Sequence, residues 1–337
     1  MPASNIKPID VLKRIFGFET FRKGQETIVN DVLAGRNVVV IMPTGGGKSL
    51  LYQLPAVMLP GVTLVVSPLI SLMKDQVDSL QALDIPATFI NSSLTPAEQS
   101  SRMAGMRQGE WKLVYIAPER MRSGRFMEAL NGIEISLLAV DEAHCISQWG
   151  HDFRPDYLNI AVLRRHLDNP VTAALTATAT AEVRADIAAH LELESWEDHL
   201  AGFDRENLFF RVTDTRTRDD KFKAIRNAID QLKGPGIIYA ATRKNVELIA
   251  NTLRMDGIPA LTYHGGMDNE SRSVAQNRFM EDDVALVAAT NAFGMGVDKP
   301  DIRFVVHFDI PGTLEAYYQE VGRAGRDGKE ALCHLLF

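Results

Sequence analysis

The sequence predicts an α/β protein of two tandem domains, each a mainly parallel sheet flanked by helices. Three observations lead there. Apolar runs of strand length alternate with segments of helical periodicity, a pattern that gives parallel sheets with right-handed crossovers. The chain has 337 residues, more than one hydrophobic core usually organises. A polar stretch, Phe203–Lys221, separates the halves and reads as the connection between them. Domains of residues 1–205 and 206–337 follow.

In the first half, strands are expected at Val38–Met42, Val62–Ser67, Ala87–Asn91, Leu113–Ala117, Leu137–Asp141 and Thr172–Thr176. In the second they are expected at Gly236–Ala240, Ala260–His264, Ala285–Ala289, Phe304–Phe308 and Cys333–Phe337. Between them, Asn245–Met255 carries Val246, Ile249, Ala250 and Leu253 on one helical face. Thr313 is an expected N-cap for a helix running through Arg326.

Composition narrows the function classes. Hydrophobic residues make up 46% and charged residues 23%, as in ordinary globular proteins. No apolar stretch reaches membrane-spanning length, and the N-terminus lacks a charged-then-apolar leader pattern. Cys145 and Cys333 stand alone, which excludes a disulfide framework or a four-cysteine zinc site within the chain and favours a reducing, cytoplasmic setting. The net charge of −7 means that any nucleic-acid site is a local groove rather than a basic surface.

Two motifs carry the chemistry. Thr44-Gly45-Gly46-Gly47-Lys48-Ser49 sits between an expected strand and a helix opening at Leu50. Consecutive glycines let backbone N–H groups curl around a phosphate, Lys48 adds a point charge, and the Ser49 hydroxyl suits Mg²⁺. The general pattern asks for glycine where this chain has Met42, and a glycine-rich turn remains the bland alternative. About a hundred residues later, Asp141-Glu142-Ala143-His144 ends an apolar strand, where open α/β sheets bind ligands. Asp141 would hold Mg²⁺ and Glu142 would polarise water, against the alternative of a solvated acidic turn. Together the motifs imply hydrolysis of a nucleoside triphosphate.

In the second half, Gln319, Arg323 and Arg326 are spaced by four and three and are expected on one helical face. Gly322 and Gly325 would allow close approach to a phosphate group. The arginines would neutralise charge developing at a γ-phosphate in the cleft between the domains, or else form a solvated surface helix.

The set Phe21-Arg22-Lys23-Gly24-Gln25, Met42–Ser49, Asp141–His144 and Gln319–Gly328 resembles superfamily 2 helicases of the RecQ family. Further support comes from Ser67–Gln76, Ile116–Arg120, Leu175–Ala179 and Ala292–Pro300, and the resemblance runs from about Phe16 to Gly328. The most specific segment is His144–Pro155, which interleaves Trp149 and Phe153 with Arg154 just beyond the acids. Composition alone would let these aromatics pack into the domain; the resemblance makes them a loop linking single-stranded DNA binding to ATP hydrolysis.

The resemblance implies two RecA-like domains and an ATP-dependent, Mg²⁺-using DNA helicase of 3′ to 5′ polarity. Its partners would be single-stranded and partially duplex DNA, in recombination and repair. It implies that Arg22 and Gln25 contact adenine, that Arg326 is an arginine finger with Arg323 on phosphate and Gln319 assisting, and that His144 belongs to the catalytic set. Thr176, Thr178 and Asp298 would couple hydrolysis to DNA. Ser67, Asn91, Arg120, Thr242, Arg243 and Thr290 would grip the DNA backbone. Relatives of this type commonly continue into zinc-binding and winged-helix regions, whereas this sequence stops at Phe337, so zinc binding and duplex preference are not implied for it. RNA-directed or duplex-translocating relatives, and a non-catalytic ATP-dependent switch, are the competing readings.

Overall fold

A computed structural model describes residues 6–150, 152–200, 205–294, 297 and 299–337. The chain divides into two compact units, Met1–Phe203 and Asp204–Phe337. The first is built on β1 Val38–Ile41, β2 Val62–Val66, β3 Ala87–Ile90, β4 Leu113–Ile116, β5 Ile135–Val140, β6 Val171–Thr176 and β7 Glu197–Leu200. These form one sheet in the order β3-β4-β2-β5-β6-β1-β7, and every pairing is parallel. The second unit has β8 Leu208–Thr213, β9 Gly236–Tyr239, β10 Leu261–Tyr263, β11 Leu286–Ala289, β12 Phe304–His307 and β13 Ala331–Leu336. Its order is β10-β11-β9-β12-β13-β8, again with parallel pairings throughout.

The central strands read as continuous apolar runs because both sheet faces are covered. Residues 38–41 are wholly buried, with Val39 and Ile41 packed in one core and Val38 and Val40 in the other. The second unit repeats this alternation, with Ile237 facing one core and Ile238 the other. In the helix Arg243–Met255, Val246, Ile249, Ala250 and Leu253 form the buried stripe. No helix among the described residues is long and apolar enough to cross a membrane.

Three expectations need correction. Phe203–Lys221 is not all connection: β8 lies within it, pairs with β13 from Leu208↔Ala331 to Thr213↔Leu336, and is followed by a helix from Arg218. The strand escaped notice because it is an edge, with Phe209, Phe210, Arg211 and Val212 all exposed, so no buried apolar run marks it. β7 was missed for the same reason, since its sequence, Glu-Asp-His-Leu, is polar and largely exposed. The third concerns the helix capped by Thr313, whose hydroxyl accepts from Ala316 N–H at 3.1 Å; it ends at Val321. Gly322 is its C-cap, and beyond it Gly325 adopts φ +55°, a left-handed conformation that no helix continues through. Gln319, Arg323 and Arg326 therefore do not share one helical face.

Candidate active site

The order of the first sheet sets β5, β6 and β1 side by side, so the segments after their carboxyl ends converge. Met42 N–H bonds Thr176 O at 3.0 Å, and Asp141 N–H bonds Val66 O at 2.8 Å. The glycine loop, the acids and the Thr176–Thr178 turn thereby lie on one rim.

Within the loop, Gly45 and Gly47 take φ +79° and +85°. A Cβ on Gly46 would stand 2.5 Å from Met42 Cγ, and one on Gly47 would stand 2.6 Å from Gln25 Nε2. Met42, which departs from the general pattern, thus packs beneath the glycines. Gln25, itself 3% exposed, donates to Gly46 O and Gly47 O at 3.1 and 3.3 Å, and Arg22 Nη1 donates to Gly45 O. Three successive carbonyls are so fixed, which presets the peptide planes of the loop. Lys48 Nζ donates to Met42 O at 3.1 Å.

Asp141 closes β5, and Glu142 follows with φ +47° and ψ +47°. A left-handed non-glycine residue costs about 1–2 kcal/mol, and here it turns the second carboxylate out of the strand direction. Burial, with the neighbouring Glu142 charge added, raises the Asp141 carboxyl to about 7, against the opposing pull of Lys48. A divalent cation would relieve both causes. The donors available are hard oxygens, Ser49 and Asp141, and the described residues hold no group of three or more His, Cys, Asp or Glu that could form a protein cage. This half-made oxygen site fits Mg²⁺, which keeps waters and takes phosphate oxygens.

His144, 3% exposed, joins the acids to β6. Its Nδ1 lies 2.7 Å from Thr176 Oγ1 and 3.3 Å from Glu142 Oε2. Thr176 Oγ1 donates to Thr178 O at 3.2 Å, which leaves Nδ1–H as the donor to the hydroxyl. Thr178 Oγ1 is buried without a hydrogen-bond partner. Sequence reasoning missed Tyr157, whose hydroxyl donates to Asp141 O at 2.9 Å and steadies the first acid from below. Its only signal was position, three residues past Arg154 in the aromatic run.

Beyond His144 the chain turns sharply. Trp149 N–H bonds Ser147 Oγ at 3.1 Å, Gly150 N–H bonds Ser147 O at 3.0 Å, and Arg154 N–H returns to Cys145 O at 2.9 Å. Trp149 is 78% exposed, unlike a core tryptophan, while Phe153 is half-buried. Arg154 is engaged within the fold: Nε and Nη2 donate to Asp152 Oδ2 at 3.0 and 2.8 Å, and Nη1 donates to Pro68 O at 3.1 Å.

Other expected contacts are placed less openly. Asn91 is fully buried and its side-chain oxygen caps Ser93, Ser67 is 2% exposed, and Arg120 donates to Gln99. Asn91 and Ser67 therefore have their side chains in the interior. In the second unit, Thr242 and Arg243 are exposed, whereas Thr290 is buried. Gln319 is half-buried, Arg323 Nη1 donates to Gly294 O, and Glu320 forms a buried 2.7 Å pair with His307. Asp298 lies outside the described residues.

Comparison with known proteins fits this geometry. A DEAD/DEAH box helicase family profile matches residues 22–187, and a helicase conserved C-terminal domain profile matches residues 220–328. The ATP-dependent DNA helicase RecQ of Bacillus subtilis is 49% identical over 97% of this chain and 55% of its own length. That of Haemophilus influenzae is 45% identical over 98% of this chain and 53% of its own. The chain thus spans about half the length of these relatives. Among solved structures, Mycobacterium smegmatis helicase Lhr bound to ssDNA and AMP-PNP superposes with a TM-score of 0.78 at 20% identity, covering 98% of this chain and 48% of that one. Mss116p bound to ssRNA and AMP-PNP gives 0.77 at 19%, covering 98% and 72%. At such identity these two likenesses speak for the fold, two RecA-like α/β domains. With identities of 45–49% extending over nearly all of its residues, the chain belongs to the RecQ family of helicases and corresponds to the core of that family.

Proposed function

We propose that the chain hydrolyses ATP with Mg²⁺ in its first unit when single-stranded DNA engages Trp149, and uses the energy to move 3′ to 5′ and open duplex in recombination and repair. One observation carries this reading. The candidate base Glu142 is tied to His144, and the chain runs from His144 within five residues to an exposed tryptophan. The chain's similarity to the ATP-dependent DNA helicases RecQ of Bacillus subtilis and Haemophilus influenzae supports it.

In this reading Lys48 leaves the Met42 carbonyl for the outer phosphates, and Arg22 and Gln25, already beside the loop, meet the adenine. Ser49 and Asp141 would hold Mg²⁺, which neutralises phosphate charge when bound. Glu142 takes a proton from the attacking water, with His144, held by Thr176, standing 3.3 Å from the carboxylate that receives it. Bases stacking on Trp149, with Phe153 beside it, pull on the segment that begins at His144. Arg154 either keeps Asp152 or exchanges it for a DNA phosphate. Arg326 supplies positive charge to the transferring phosphoryl group, with Arg323 on phosphate and Gln319 assisting. Thr176, Thr178 and Asp298 couple the two events, and Thr242 and Arg243 offer exposed groups to the DNA backbone.

The test is steady-state ATPase activity with no nucleic acid, single-stranded DNA, RNA or duplex, for the unmodified chain and for Glu142→Gln. Stimulation should be greatest with single-stranded DNA, and the variant should bind nucleotide without turning it over. No stimulation by DNA would sink the motor reading, and greater stimulation by RNA would change the substrate.

A further inference from the structure

The turn that carries Arg323 and Arg326 is held from a distance in sequence, by the first residues after the boundary between the two units. Arg205 Nη1 donates to Gly322 O at 3.0 Å, and its Nη2 donates to Gly325 O. Asn207 Nδ2 donates to the same Gly325 O and to Lys329 O, each at 2.8 Å. Gly322 immediately precedes Arg323, and Gly325 immediately precedes Arg326. One planar guanidinium therefore spans the two carbonyls whose peptide planes lead into the two arginines, a geometry that a fork of fixed donors can make and an ammonium cannot.

The local sequence requires such support. The helix Leu314–Val321 has ended, so the backbone from Gly322 onward lacks a continuous helical ladder. Gly325 sits at φ +55°, and a Cβ there would stand 2.5 Å from Asn207 Nδ2. Its small size thus serves the contact with Asn207 as well as the turn. Gly325 N–H reaches Ile302 O at 2.9 Å, and Arg303 Nη2 holds Asp327 at 2.7 Å from the other side. The Asn207 backbone also takes part, since its carbonyl accepts from Ala331 N–H at 2.9 Å, where the β8–β13 ladder begins. The strand that follows the boundary is thereby registered on the strand that follows the arginine turn.

We propose that Arg205 and Asn207 are positioning residues for Arg323 and Arg326, so that the segment entering the second unit sets the aim of the arginines that act in hydrolysis. The proposal rests on the reading of Arg326 given above. Neither Arg205 nor Asn207 touches nucleotide in this account; both act through the turn.

The experiment is a double-mutant cycle on DNA-stimulated ATPase activity, with saturating single-stranded DNA and varied ATP, using Arg205→Ala, Arg205→Lys, Asn207→Ala, Arg326→Ala and Arg205→Ala/Arg326→Ala. Arg205→Ala should lower kcat by about tenfold or more, the scale of a misplaced catalytic group, with the KM for ATP held within about threefold. Arg205→Lys should recover only part of the loss. Adding Arg205→Ala to Arg326→Ala should cause a further fall smaller than the Arg205→Ala factor, because the part of the clamp's effect that passes through Arg326 is already lost and only the part through Arg323 remains. A full kcat in Arg205→Ala beside an impaired Arg326→Ala overturns the clamp alone. So does a double variant slower than Arg326→Ala by the full Arg205→Ala factor. An undiminished kcat in Arg326→Ala overturns the finger reading and the clamp with it. If Arg205→Ala loses its cooperative melting transition, Asn207→Ala carries the same cycle with the same deciding outcomes.

Discussion

β1 in the first unit and β9 in the second are both interior strands of their sheets, buried and followed by a helix, yet the two helices begin differently. After β1 comes a glycine loop, and the helix at Leu50 starts without a side-chain cap on Ser49. After β9 the chain enters the helix at Arg243 directly, and the Thr242 hydroxyl caps it by accepting Asn245 N–H at 3.2 Å. A capped helix start is finished as structure; an uncapped one behind a loop of glycines and a lysine is ready for an anion. One architecture thus yields a glycine loop before an uncapped helix in one unit and a capped helix start in the other, the difference on which the proposed phosphate site rests.

Changes in the two units should separate accordingly. Arg326→Ala should cost the most, on the order of 10³-fold or more in DNA-stimulated kcat, with nucleotide affinity measured by a fluorescent ATP analogue little changed. Glu142→Gln should follow, at about 10²-fold or more in kcat, because it removes the base and keeps the shape. Equal losses in KM for either would place that residue in binding instead.

Asp141 sharpens the contrast through pH. Its folded carboxyl titrates near 7, and an unfolded aspartate near 3.9. Between those values the folded chain keeps a proton that the unfolded chain has lost, so stability drains away as pH rises through that window. Asp141→Asn should melt higher than the unmodified, nucleotide-free chain at pH 7.5 and should match it near pH 4. A gap that persists at pH 4 would assign the effect to packing. Smallest is Thr242→Ala, which should cost about 1 kcal/mol of stability as a lost cap, with no change in ATP affinity.

Much of the architecture was legible because buried parallel strands are uniformly apolar: residues 38–41 and 137–140 announce themselves. The edge strands β7 and β8 were not, since half-exposed strands carry phenylalanine beside arginine or acids beside histidine with no clear period. The helix through Arg326 was overextended because spacing alone reveals neither that it ends at Val321 nor that Gly325 beyond it turns left-handed. At the site, the sequence pointed to Lys48, Asp141, Glu142 and His144 and to the turn at Thr176, and folding brings them to one rim. The supports were invisible: Met42 under Gly46, Tyr157 under Asp141, Arg205 across the arginine turn. Tyr157 and Arg205 act on backbone carbonyls distant in sequence, and backbone contacts leave no residue-type signature; Met42 acts by packing, which spacing does not show.

The central claim is that DNA reaches the base Glu142 through the segment that joins His144 to Trp149. The most direct measurement is ATPase activity with and without saturating single-stranded DNA, for the unmodified chain and for Trp149→Ala. The account predicts strong stimulation of the first, and for the second a DNA-saturated rate within about twofold of its own DNA-free rate. Full stimulation of Trp149→Ala would contradict it.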